Sequence, residues 1–131
     1  MKPLILLLSL LAAPALALEP INREPFINDS LIAGRVGDVI RNTCPTISAR
    51  MIVVYGKLKD LERYARDKGY SEDDFEAFRN DATEKNRMKA QAQAYLRDAG
   101  AVEGDVESYC RVGRAEIAKG SLIGELLRSS E

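Results

Sequence analysis

The sequence predicts an all-α domain of four helices, within a range of three to five, in an orthogonal or bundle-like arrangement stapled by one disulfide. Three observations predict it. Apolar residues recur at steps of three and four along most of the chain, and no stretch alternates at period two over a useful length. Glycine and proline interrupt these runs at helix-length intervals. The only two cysteines, Cys44 and Cys110, fall on two such runs.

The opening stretch "MKPLILLLSLLAAPALALEP" places Lys2 before an apolar run from Leu4 to Ala13, followed by Ala15 and Ala17. That order is expected of a secretory signal peptide over residues 1–17, with Ala15-Leu16-Ala17 as the small-x-small cleavage site. The short basic region points to the periplasm. No later segment approaches ~18 uninterrupted apolar residues, and no cysteine lies near the cleavage site. No stable membrane anchor is therefore expected after cleavage. With Lys2 removed, eighteen basic residues face twenty acidic ones, a net charge of −2 with interspersed signs. Nucleic-acid binding, which needs a basic surface, is not expected.

Residues 18–28, with two prolines and no period, read as an extended N-terminal arm before a single helical domain, 29–131. The first helix is expected from Asp29 or Ser30 to Thr43, because a residue before proline avoids the α region. Ile32, Val36, Val39 and Ile40 share its buried face. Gly34 and Gly37 weaken that helix and suggest close approach by another backbone. The second helix is expected from about Thr46 to Lys68, with Ile47, Met51, Val54, Leu58, Leu61 and Ala65 on one seam and Gly69 as its stop. Such a seam faces the domain core more often than it lines a cofactor or forms a homodimer face. The basic positions Arg50, Lys57, Lys59, Arg63, Arg66 and Lys68 are interleaved with acidic ones, which makes a solvated face; contact with anionic lipid or cell wall is the alternative.

The third helix opens on Ser71, with Asp74 completing a capping box and Tyr70 stapled onto Phe75. Phe75, Phe78 and Ala82 form its buried face, and Ala92, Tyr95, Leu96 and Ala99 resume that face before Gly100. The polar segment between them leaves open one helix or two, with a break near Asp81–Thr83. The fourth helix is expected from Asp105 toward Leu127, its apolar stripe passing through Val106, Cys110, Gly113, Ile117, Gly120, Gly124 and Leu127. Gly113, Gly120 and Gly124 cost about 1 kcal/mol each relative to alanine and mark a close-packing face. The GxxxG of Gly120 and Gly124 is a weak sign of dimerisation.

Cys44 sits in the corner "RNTCPT". It has three readings: reactive thiol, metal ligand, or staple to Cys110. The chain has no Cys-x-x-Cys and no histidine, which removes the usual redox partner, the usual base and the commonest metal ligand. Export favours the disulfide. The same lack of histidine removes Ser-His-Asp catalysis, and no phosphate loop, dinucleotide fingerprint or EF-hand pattern is present. Carboxylates such as Glu72/Glu76 and Asp73/Asp74 lie on a charged helix start, better explained by solvation than by acid–base work. The expectation is a non-enzyme, with no catalytic residue, cofactor or metal.

The blocks "LIAGRVGDVIRNTCPTISARM" and "YCRVGRAEIAKGSLIGELLR" resemble an uncharacterised family of small exported proteobacterial proteins, a domain of unknown function. That resemblance implies no activity and no site residues. In layout alone the chain is similar to the periplasmic acid-stress chaperones, which are also small, exported, helical and closed by one disulfide. The leading expectation is a non-enzymatic periplasmic interaction or accessory module with an unknown protein partner. A conditional chaperone is the alternative, since protonating twenty carboxylates leaves about eighteen positive charges. An enzyme inhibitor is the third reading, with "DAGAVEGD" (98–105) as its presenting loop.

Overall fold

The computed structural model describes residues 18–131. The signal segment, with Ala15 and Ala17, lies outside the described residues. Six α-helices and one minimal sheet follow in the order α1 Pro25–Thr43, β1 Ile47–Ala49, α2 Met51–Lys68, α3 Glu72–Asn80, α4 Ala82–Asp98, α5 Val106–Lys119, α6 Leu122–Glu125 and β2 Leu127–Ser129. The fold is all-α and carries a single disulfide, Cys44–Cys110.

Each boundary has a local cause. The arm expected at 18–28 is instead a 3-10 turn, Ile21–Arg23, leading into α1 at Pro25. Glu24 caps that helix by accepting from Ile27 N at 2.7 Å, and Pro25 occupies the first-turn position where its missing N–H costs nothing. α1 ends at Thr43, and Cys44 before Pro45 is extended. Gly69, at φ 110°, closes α2. Ser71 and Asp74 form the expected capping box of α3. Asp81 then ends α3 and caps α4 by accepting from Glu84 N at 2.9 Å, so the segment is two helices. Asp105 caps α5, and Ser121 caps α6.

Two further expectations are corrected. α2 begins at Met51, not Thr46, because Ile47–Ala49 pairs antiparallel with Leu127–Ser129 in the register Ile47↔Ser129, Ser48↔Arg128 and Ala49↔Leu127. The fourth helix does not reach Leu127. Gly120 adopts the left-handed conformation, φ 62°, stops α5, and is exposed rather than part of a buried stripe. Gly120 and Gly124 therefore share no helical face, and the GxxxG reading falls with it.

α1 is the spine. Its N-terminal Ile27 joins Leu61, Ala65, Tyr70, Phe75, Phe78 and Met88 in one core cluster. Its C-terminal half, through Val36 and Ile40, joins Cys44, Ile47, Cys110, Val112, Ile123 and Leu127 in a second. α4 and α5 pack on α1, and α6 lies against α5.

Candidate functional site

The corner after α1 and the middle of α5 meet at the disulfide. Cys44 and Cys110 are buried, their Cα atoms 5.1 Å apart, and neither thiol is free. The pair belongs to the apolar core, so its role is architectural. Gly113, one turn beyond Cys110, lets Ile40 and Ile47 reach the helix: a Cβ at this position would overlap Ile47 Cδ1 and Ile40 Cγ2. Gly124 is tighter still, since its Cβ would fall on the backbone carbonyl of Glu116. Two of the three glycines singled out by sequence are thus close-packing positions, and Gly120 is not.

Beside them lies an acid that the sequence reading missed. Glu116 is 1 % exposed and holds α4, α5 and α6 together. It accepts from Tyr95 Oη at 2.5 Å, from Ser121 Oγ, and from Lys119 Nζ at 2.9 Å. Burial alone raises its carboxyl pKa, but the hydrogen bonds from Ser121 and Tyr95, with Lys119, outweigh that and hold it below the usual value. Tyr95 is pushed up, chiefly by its bond to Glu116. Only the i,i+3 partner Lys119 is local to α5; Tyr95 comes from α4 and Ser121 from beyond the end of α5, so no local pattern announced the full cluster. A second buried acid, Glu24, accepts from Tyr64 Oη at 2.7 Å as well as capping α1, which fastens the C-terminal half of α2. The hydrogen bond to Glu24 raises the Tyr64 pKa.

The N-terminal half of α2 is not fastened in this way. Of the expected seam, only Leu61 and Ala65 are buried on α2, with Ile47 buried in β1. Met51 and Tyr55 are each 63 % exposed, and neighbouring Ile52 is 90 % exposed. The seam as a whole is not exposed; the turn carrying Met51, Ile52 and Tyr55 is. The basic positions of α2 are solvated in part by ion pairs, Lys59–Glu62, Arg63–Asp60 and Lys57–Glu125. Such exposed pairs contribute little to stability.

Behind that turn, α1 and α2 stand apart over an apolar cavity of about 540 Å³ lined by Phe26, Leu31, Val54, Leu58, Leu61 and Leu126 among others. Two smaller cavities adjoin it. One, of about 270 Å³, reaches Arg35, Asp38 and Arg79; the other, of about 240 Å³, reaches Arg41, Ala49 and Leu127. All three share Gly34. The expected backbone approach at Gly34 does not occur, since a Cβ there would have nothing within 4 Å.

The loop at 98–105 is tightly held. Ser108 Oγ accepts from Val102 N at 2.8 Å and donates to Asp105 O at 2.6 Å, while Val102 points outward. Of the carboxylates at the α3 start, Asp74 is held in the capping box and Glu76 pairs with Arg79 at 3.6 Å, while Glu72 and Asp73 are exposed. Among the described residues, no three His, Cys, Asp or Glu side chains converge as metal ligands, and no helix is long and apolar enough to cross a membrane.

Residues 19–128 match a family described as a family of unknown function, DUF5333. The chain matches no curated protein and no solved structure.

Proposed function

Because the chain belongs to the DUF5333 family, which carries no activity to transfer, we propose its role from its own surfaces: a non-enzymatic periplasmic interaction module with a protein partner. One observation carries this reading. Met51, Ile52 and Tyr55 hold three large apolar side chains in water on a single turn of α2, and such clustered exposure marks interaction surfaces. The signal segment expected from the sequence and the closed disulfide are consistent with that compartment. The test is capture of a periplasmic partner by wild type and by an Ile52→Lys, Tyr55→Lys variant. The reading expects a partner retained by the first and lost by the second. A partner retained equally by both overturns it. A wild type that sediments as a dimer, with a monomeric variant, replaces the foreign partner with a second copy.

A second reading, the conditional chaperone, is favoured by Glu116. Its protonation withdraws the acceptor that ties Tyr95, Lys119 and Ser121 together, and Ser121 caps the helix whose Leu122 and Leu126 wall the apolar cavity. Acid would loosen α6 and expose that cavity. A domain that keeps its native near-ultraviolet signal at about pH 3, or that leaves a client aggregating there, removes this reading.

A further inference from the structure

We infer that the canyon floored by Gly34 is a binding site for an amphiphile with one acyl chain and an anionic head group. This goes beyond the interaction reading and does not depend on the exposed turn of α2.

Gly34 is the first observation. It lies inside α1 with an ordinary helical φ, where glycine costs about 1 kcal/mol relative to alanine. Nothing packs against the position, so neither backbone conformation nor close contact requires glycine. Gly34 lines three cavities, so a side chain there would project into open space that they border. The missing side chain keeps the canyon open.

The walls select the tail. The main cavity, about 540 Å³, falls within the range of small-molecule sites and is lined chiefly by aliphatic and aromatic side chains. Its walls are helical, with backbone groups bonded within each helix, so they offer no partners to the amides of an extended peptide. A methylene chain needs none. At one rim Lys57 is already held by Glu125 at 2.7 Å.

The charges select the head. The smaller cavity shares Leu31 and Gly34 with the main one, and Arg35, Arg79 and Asp38 line it. Asp38 is answered by Arg41 at 2.7 Å, and Arg79 is paired with Glu76 at only 3.6 Å. Arg35 has no carboxylate within 4.0 Å among the described residues. Two guanidinium groups beside one apolar slot suit a carboxylate or phosphate, whose oxygens match their forked donors.

The test titrates the disulfide-closed protein, by calorimetry, with tetradecanoate, a lysophosphatidylglycerol and tetradecanol, all below their aggregation thresholds. The inference expects saturable one-to-one binding of at least one anion, with the alcohol about tenfold weaker. Which anion binds more tightly distinguishes carboxylate from phosphate. Gly34→Leu should weaken the anion about tenfold or more while the urea midpoint stays level or rises. Arg35→Gln with Arg79→Gln should lower the anion to the level of the alcohol and leave the alcohol unchanged. No saturable binding overturns the inference, as does binding that Gly34→Leu leaves intact in a folded protein. Equal binding of anion and alcohol, or of an amphipathic peptide in place of both, overturns it too. Loss of acyl binding with partner capture intact would leave the interaction reading standing.

Discussion

The C-terminal end of α1 and its flank against α2 are packed by different means, and the contrast separates scaffold from surface. At the C-terminal end, α5 approaches so closely that Gly113 has no room for a Cβ, the disulfide joins the elements covalently, and a fully buried carboxylate ties in the following turns. Along the outer flank, α2 has comparable apolar periodicity but buries only Leu61 and Ala65, and Gly34 beneath it faces open space. Similar sequence texture thus produces a clamp in one place and an uncovered groove in the other. What differs is whether a second element lies within reach, which depends on long-range connections more than on local pattern.

The clamp is most sharply broken by opening the disulfide. It closes a loop spanning 66 residues, worth about 4 kcal/mol in the chain-entropy account. Replacing Cys44 and Cys110 by alanine, or reducing the wild type, should lower the unfolding free energy by that amount in urea denaturation. A change below about 1 kcal/mol would mean that the clamp rests on packing alone.

Next in size is Gly124→Ala. The new methyl falls on a backbone carbonyl that cannot swing aside, and overpacking of this kind costs about 3 kcal/mol. The variant should lose stability by thermal unfolding. Gly120→Ala, at φ 62°, should lose only about 1 kcal/mol, through strain at an exposed cap.

The polar part of the clamp is read by pH. Glu116 is held below its unfolded value, so its stabilisation is complete above that value, about pH 4.3, and is lost as pH falls through the folded one. Glu116→Gln should cost about 2 kcal/mol at neutral pH and flatten the acid limb of the stability curve. A variant whose acid limb parallels the wild type would assign that limb to other carboxylates.

Much of the local punctuation was legible in the sequence. Ser71 with Asp74, Gly69, and the break at Asp81 are short-range signals in which a side chain satisfies a neighbouring backbone group. The disulfide was legible because the chain contains only one possible pair. The start of α1 was missed although Glu24 and Pro25 were visible, since glutamate is a weak cap and two nearby prolines suggested extension. The strands were missed because Ile47–Ala49 takes its partner from the far end of the chain. Met88 was hidden within a polar run, and its burial depends on Phe75, Phe78 and Leu61 arriving from other helices. Periodicity revealed the apolar stripe on α2 but gave no sign that half of it stays uncovered. Gly34 and Gly113 look alike as letters; only the neighbours that the fold delivers tell them apart.

That pair supplies the most direct measurement of the account. Gly34→Ala and Gly113→Ala should be unfolded in urea side by side with the disulfide closed. Both gain helix propensity, up to about 1 kcal/mol. At Gly34 nothing opposes that gain, so the midpoint should rise. At Gly113 the methyl meets Ile40 and Ile47 inside a filled core, an overpacking cost of about 1–3 kcal/mol, so the midpoint should fall. Opposite signs are the predicted result; shifts of the same sign would contradict the division of this molecule into a closed clamp and an open canyon.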